Sequence, residues 1–289
     1  MEHMTVRANG ADFHVARTGQ GAPVLLLHGW PEFWLTWEPV MARLADRHTL
    51  IAPDLRGFGD SAKPDGPWGA DAHADDMLAL LDALGLEDRI GVVGHDVGGA
   101  VIQSLARKAP QRLAGLFLFD FVYPGIGSRM AEPGRLNEIW YQSFHQMLMA
   151  PALVGATRES CRAYIGHFLR HWAHRQEWLD DGVLEAWVDN FLKPGNLAGG
   201  FAYYQAAHAG RVAIMREQAP VLPPIVVPTC VRWAEHDVLF PYAWTDRLGE
   251  TFADLDLAMF EGVGHFPHRE HPERAGAEIA GFFSRIGHH

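Results

Sequence analysis

Four short apolar runs punctuate the first half of the chain. Val24–Leu27 ends in His28-Gly29-Trp30-Pro31, Leu50–Pro53 in Asp54-Leu55-Arg56-Gly57, Arg89–Gly94 in His95-Asp96, and Leu113–Phe119 in Asp120. Between them lie stretches with helical spacing of apolar positions, about Thr36–Ala45, His73–Leu84 and Gly99–Lys108. Short runs that are apolar throughout, separated by helices, predict parallel strands covered on both faces. The pattern changes near Tyr123-Pro124-Gly125. From there to Pro223-Pro224 the chain reads as helices dense in Trp, Phe, Tyr and His, with proline and glycine at both ends as hinge signals. Strand-like stretches resume at Ile225–Trp233 and Asp256–Phe260, and an amphipathic helix covers about Pro272–Arg285. The expected organisation is an α/β core domain from 1–123 and 225–289, with a helical cap at 124–224 inserted between its halves.

The sharpest local signal is Gly94-His95-Asp96-Val97-Gly98-Gly99, between a strand-like run and a helix-like one. That is the strand–turn–helix setting of a nucleophile elbow, G-x-S-x-G, with aspartate in place of serine. A carboxylate is already ionised at neutral pH, since its ordinary pKa is about 4. It is a poor carbonyl nucleophile, because acyl transfer would make an anhydride. It suits displacement at a saturated carbon, giving an alkyl ester on Asp96 that water must then hydrolyse. Hydrolysis needs a base and an acid to orient it, expected downstream in the order nucleophile, acid, histidine. His265, in Gly262-Val263-Gly264-His265-Phe266, stands where the base is expected; Asp237 follows the Val231–Trp233 run and can hold the imidazole. Asp120 is an alternative position for the acid, and Glu235 a weaker rival. Backbone N–H groups of Trp30 and Val97 are the expected oxyanion donors.

The leaving group separates two chemistries. A halide departs as a stable anion, whereas an epoxide oxygen departs as a strongly basic alkoxide and needs a proton or a strong hydrogen bond. Tyrosine supplies either. The segments Glu138-Ile139-Trp140-Tyr141-Gln142 and Phe201-Ala202-Tyr203-Tyr204-Gln205 offer such phenols within the expected cap.

With these motifs, with Asp54-Leu55-Arg56-Gly57-Phe58-Gly59-Asp60-Ser61, and with Val188-Asp189-Asn190, Lys193-Pro194 and Gly199-Gly200-Phe201 in the cap, the chain resembles the α/β-hydrolase epoxide hydrolases, above all the bacterial epichlorohydrin-type enzymes. The resemblance covers nearly the whole chain. It implies an α/β-hydrolase fold: a mostly parallel eight-stranded sheet flanked by helices, with an inserted helical cap. It implies Asp96 as nucleophile, Asp237 and His265 as the water-activating pair, and Tyr141 and Tyr204 as ring-opening acids, with Tyr203 the alternative to Tyr204. No cofactor and no metal are implied. Haloalkane and haloacetate dehalogenases share the loop motifs, but the former often carry Trp just after the nucleophile and the latter Arg one and four residues after it. Here those positions are Val97 and Ala100.

Composition narrows the partners. A chain of 289 residues with 48% hydrophobic and 20% charged residues can bury a substantial core, and its formal charge of −11 argues against nucleic acid or an anionic membrane as partner. The expected partners are a small apolar epoxide and water, with a homodimer left open. Candidate substrate-binding residues are Pro31, Phe33, Trp34, Phe144, Phe168 and Phe201. Cys161 and Cys230 lack a metal-site spacing and are expected to be buried thiols in a reducing compartment. Without a basic-then-apolar leader in 1–8 or a long apolar run, a cytoplasmic location is expected. The series His167/His171/His174 and His265/His268/His271 lack a zincin-type carboxylate pattern, and His288 and His289 are assigned no role. A non-catalytic binding protein on the same fold is the alternative from another class.

Overall fold

A computed structural model describes residues 1–66 and 68–289. In chain order the elements are β1 (Glu2–Ala8), β2 (Ala11–Thr18), β3 (Ala22–Leu27), α1 (Glu38–Leu44), β4 (His48–Pro53), α2 (Ala70–Ala83), β5 (Ile90–His95), α3 (Val97–Lys108) and β6 (Leu113–Phe119). There follow α4 (Leu136–Phe144), α5 (Ala150–Val154), α6 (Arg158–Trp172), α7 (Asp181–Leu192), α8 (Asn196–Met215), β7 (Thr229–Ala234), β8 (Leu255–Phe260), α9 (Pro267–Glu270) and α10 (Pro272–Arg285).

The eight strands form one sheet in the order β1-β2-β4-β3-β5-β6-β7-β8. Only β1–β2 and β2–β4 pair antiparallel. In the buried strands side chains alternate between faces. Val24 and Leu26 join the cluster that holds Met41 of α1 and Ile279 of α10; Leu25 and Leu27 join the cluster that holds Met77 of α2 and Ile102 of α3. The helices between β6 and β7 add their apolar sides to the second cluster, through Tyr141, Phe168, Trp172, Trp187 and Tyr204. Among the described residues no helix is long and apolar enough to cross a membrane. Both cysteines are buried free thiols.

Several expectations change. The apolar runs mark six strands but not the N-terminal hairpin, whose Asn9-Gly10 turn places both residues at positive φ between Ala8 and Ala11. Ile225 makes only an isolated bridge to Phe252, so the seventh strand begins at Thr229. The helical stretch at Thr36 opens as a 3-10 turn, Trp34–Trp37, before α1. His288 does have a role: its Nε2 lies 3.0 Å from the Gly91 N–H, and the His289 carbonyl accepts from Ala22.

One backbone contact and one ion pair tie the helical insertion to the loop after β4. A Cβ on Gly199 of α8 would lie 2.0 Å from the Gly57 carbonyl oxygen, in the loop after β4. Lys193 Nζ pairs with Asp60 of that loop at 2.7 Å. Gly199→Ala therefore has to push α8 away from the sheet. It should lower unfolding stability by about 1–3 kcal/mol, read from urea denaturation midpoints.

Candidate active site

β5 runs into α3 through a single residue, Asp96, at φ 49° and ψ −111°. This is an unfavourable backbone conformation for any side chain but glycine, and it persists because the neighbours leave no alternative. A Cβ on Gly98 would come 2.1 Å from the Leu27 carbonyl oxygen, and one on Gly29 would come 2.6 Å from the Asp96 Cβ. The turn thus packs flush against the end of β3 and the loop that follows it, and the Asp96 carboxylate is lifted clear of the sheet.

That loop is fixed from below. His28 Nδ1 donates to the Gly29 carbonyl at 2.8 Å, and its Nε2 accepts the Leu55 N–H at 3.0 Å. The Trp30 N–H then donates to Asp96 Oδ1 at 3.0 Å, and the Val97 N–H also acts on the carboxylate. Burial pushes the Asp96 carboxyl above its ordinary pKa; His265, His95 and the two N–H groups work against that shift.

His265 Nδ1 donates to Asp237 Oδ2 at 2.8 Å. The other Asp237 oxygen accepts the N–H groups of Leu239 and Phe240 at 2.7 and 3.0 Å. The imidazole lone pair is therefore on Nε2, which has no hydrogen-bond partner among the described residues and lies 4.0 Å from Asp96 Oδ2. Asp120 makes no hydrogen bond to His265. It accepts the Ala234 N–H at 2.9 Å, and burial plus the neighbouring Asp237 push its carboxyl well above the usual carboxylate range. Glu235 is outside the site, accepting the Gly262 N–H at 2.9 Å.

Two buried carboxylates not singled out in the sequence hold this arrangement. Glu270 Oε2 accepts N–H groups from Gly264, His174 and Arg175 at 2.8–3.0 Å, and Oε1 accepts Phe266 at 3.1 Å, which ties the His265 loop to the chain leaving α6. Glu32 accepts from Gly29 and Thr36 and faces His95 Nδ1 at 2.7 Å and His268 Nε2 at 2.8 Å. His95 Nε2 faces the His265 carbonyl at 2.6 Å. The His95 ring thus bridges Glu32 and the His265 carbonyl, tying the loop after β3 to the loop that carries His265. Burial alone would raise the Glu32 carboxyl, but His95 and His268 hold it well below its ordinary range. The other spaced histidines scatter: His171 pairs with Glu138, and His174 stacks on His236.

Asp96, Tyr141, Tyr203 and Tyr204 line one cavity of about 390 Å³. Tyr141 and Tyr204 cross edge to face with centroids 5.4 Å apart, and the Gln142 Nε2 amide donates to the Tyr141 hydroxyl at 3.3 Å. Burial, reinforced by the Asp96 charge, raises all three phenols. Trp30 stacks on Tyr141 at 5.3 Å.

The expected substrate-binding residues lie outside the wall of this cavity. Pro31, Phe33, Trp34, Phe144, Phe168 and Phe201 are absent from the cavity wall. Phe33 packs on Trp187, Trp34 on His3 and His14, Phe144 on Trp140 and Tyr164, and Phe168 on Trp30 and Tyr141; Phe201 stacks on His145 at 3.8 Å. These aromatics build the shell behind the tyrosines. The wall itself comes from the inner faces of α3 and α8, with Val122, Phe240, Gln103, Arg107 and Arg211 among its residues.

A sheet of this order, with an acid at the β5–α3 turn and a histidine after β8, has a counterpart among known proteins. Residues 22–272 match the family described as having the alpha/beta hydrolase fold. The chain belongs to that family. This α/β-hydrolase is 41% identical to the soluble epoxide hydrolase of Corynebacterium sp. (strain C12) over 281 residues, which cover 94% of this chain and 93% of the relative. Among solved structures it resembles the epoxide hydrolase CorEH without ligand, with a TM-score of 0.85, 27% identity and 99% of each chain covered. It resembles Cfl2 from Burkholderia cenocepacia equally in shape, with a TM-score of 0.85, 27% identity, and 97% and 95% covered.

Glu270→Ala removes the acceptor of four backbone N–H groups in this α/β-hydrolase. At about 1–3 kcal/mol for each buried group left unsatisfied, the loss of stability should reach at least about 3 kcal/mol by chemical denaturation.

Proposed function

We propose that this protein hydrolyses epoxides to vicinal diols through an ester on Asp96. The observation that carries the reading is the pair of neighbouring phenols, Tyr141 and Tyr204, lining the same cavity as the buried Asp96 carboxylate. Relatives whose names describe epoxide hydrolases support it. The helices between β6 and β7 serve as a cap that brings the phenols over the nucleophile.

In the first step Asp96 Oδ2 attacks one ring carbon. A C–O bond forms, the ring C–O bond breaks, and the epoxide oxygen takes a proton from Tyr141 or Tyr204. In the second step His265 Nε2 takes a proton from water as its oxygen attacks Asp96 Cγ, while Asp237 stabilises the imidazolium. The tetrahedral oxyanion is held by the N–H groups of Trp30 and Val97. On collapse the ester C–O bond breaks, the departing diol oxygen, which came from Asp96, takes the proton from the His265 imidazolium, and the second water proton, left on Asp96, passes to the tyrosinate, so all three residues return to their starting forms. Residues of this chain supply every proton and donor in the scheme. Val97, following the nucleophile, offers no side-chain donor to a departing halide, and phenols match an alkoxide better than a halide. The partner is accordingly a small epoxide with water.

Styrene oxide mixed with His265→Gln protein should leave a mass increment on Asp96, and diol rather than halide should be the wild-type product. In a single turnover in oxygen-18 water the label should enter the protein; label passing directly to the diol would sink the two-step route. Tyr141→Phe combined with Tyr204→Phe should lower kcat by about 100-fold or more.

The pH dependence follows from two raised groups. Burial would lower the His265 pKa, but Asp237 and Asp96 outweigh it and lift it above the ordinary 6.5. In the ester Asp96 has lost its charge and Asp237 is left to oppose burial; the base must be neutral, so hydrolysis is lost as pH falls through the pKa that His265 has in the ester. Alkylation needs Asp96 ionised, and its carboxyl is raised from 3.8. Rapid-quench measurements should therefore show hydrolysis failing at a higher pH than alkylation; coincident limbs contradict the assignment.

A further inference from the structure

Helix α8, NLAGGFAYYQAAHAGRVAIM, contains one Asp, Glu, Lys or Arg residue in its 20 positions, Arg211. It stands seven residues after Tyr204, two turns along the same helix face. That face is buried: Leu197, Gly200, Phe201, Tyr204 and Arg211 all point inward. An aliphatic residue would satisfy the packing. Instead a guanidinium is 8% exposed, held by an Nη2 hydrogen bond to the Tyr204 carbonyl at 2.9 Å and by its position 4.9 Å from the Tyr204 ring centroid. Among the described residues no carboxylate pairs with it, although buried charges are normally paired. The cavity that Arg211 lines is the one that holds Asp96.

A second guanidinium enters the same cavity from α3. Arg107 donates from Nη1 to the Gln103 carbonyl at 3.2 Å, its Nε is buried without a partner, and it too has no carboxylate among the described residues. The acid that shares the wall, Asp71, is engaged by the Ser104 hydroxyl. Acidic partners are not scarce in a chain of formal charge −11. Two arginines facing the cavity without them leave the counter-charge to the ligand.

We propose that the substrate is an epoxide bearing a carboxylate, with Arg211 as the carboxylate's anchor and Arg107 as a second cation beside it. The inference rests on the epoxide-hydrolase reading and narrows its substrate class. A planar guanidinium shielded from water binds a carboxylate through two parallel hydrogen bonds. The carboxylate has to stand off from Asp96, whose own negative charge must reach the ring carbon, so spacing between acid and epoxide matters. A volume of about 390 Å³ is at the lower end of the range of small-ligand cavities. The cavity suits a short epoxy acid.

Arg211 also stands near enough to the three phenols to favour their anions. That effect acts on every epoxide alike, so a ratio of substrates isolates the anchor. Terminal epoxyalkanoates of four, six and eight carbons are compared with their primary amides, as kcat/KM ratios of acid to amide. At one chain length the wild type should prefer the acid by about tenfold or more. Arg211→Met should bring the ratio to one or below, and Arg211→Lys should restore part of it. A wild-type ratio of one or less at every length overturns the inference, and so does a ratio that Arg211→Met leaves unmoved. If Arg211→Met does not fold, Arg107→Met and Arg211→Lys must each lower the ratio, and failure of both to do so overturns it equally. Calorimetric binding of unreactive alkanoates and alkanamides of the same lengths separates the two readings. Alkanoates that bind more tightly, in an Arg211-dependent way, without any diol being formed from the epoxides uphold the anion site and remove the activity. Diol formation with alkanoates no tighter than amides does the reverse.

Discussion

The structure is organised around one electrostatic demand: a carboxylate held buried at the turn between β5 and α3. Asp96 is 7% exposed and sits on a backbone turn that side chains rarely adopt. Burial disfavours its charge, and an uncompensated anion there would simply take up a proton. Compensation comes from four directions: the Trp30 N–H, the Val97 N–H, the His95 ring and the His265 ring. Each donor is in turn immobilised. His28 pins the Trp30 loop to the end of β4, and Glu32 pairs with His95. The glycines at 29 and 98 let these donors come close enough to matter.

The same logic governs the far side of His265. Two carboxyl groups, Asp237 and Asp120, lie next to each other behind the imidazole, and both cannot be charged in so dry a place. Their surroundings divide the roles. Asp237 accepts two backbone N–H groups as well as the His265 Nδ1–H, whereas Asp120 accepts one N–H, and burial with the neighbouring Asp237 pushes its carboxyl well up. The Nδ1 hydrogen bond to Asp237 fixes the His265 tautomer and leaves Nε2 directed at Asp96. A second negative charge at Asp120 would bind the proton on His265 more firmly and blunt it as a base.

The parts of this arrangement written in local sequence were readable there. The elbow announces itself because its glycines and its Asp are contiguous. Asp237 and His265 are readable because each follows a strand in a fixed order. The N-terminal hairpin carries no wholly apolar run: β1 alternates exposed and half-buried positions ahead of an Asn9-Gly10 turn. The wall of the cavity is hidden in the sequence for a different reason. Aromatic content says that a residue is buried, not which side of a helix meets the cavity, and Phe144, Phe168 and Phe201 fill the layer behind the tyrosines. Glu270 and Glu32 act through partners far away in sequence, such as His174 and His95, so nothing near them in the chain signals their role. Arg211 had a signal, a solitary charge seven residues beyond Tyr204 on an otherwise uncharged helix, but only the fold shows that it lacks a counter-ion.

The proposed ring opening gains from the coupling between nucleophile and phenols. Before reaction, the Asp96 charge is one of the causes that raise Tyr141 and Tyr204, and a raised phenol is a reluctant acid. As the ester bond forms, that negative charge leaves Asp96 and appears on the epoxide oxygen. The influence that held the phenolic protons in place thus fades at the moment a strongly basic alkoxide develops beside them. Arg211, which favours the phenolate form of both tyrosines, is unaffected by the transfer and retains its full effect. Hydrolysis of the ester restores the Asp96 anion and with it the bias that returns a proton to the tyrosine. The acid strength of the phenols is in this way tied to the progress of the reaction, with no moving part beyond the charge itself.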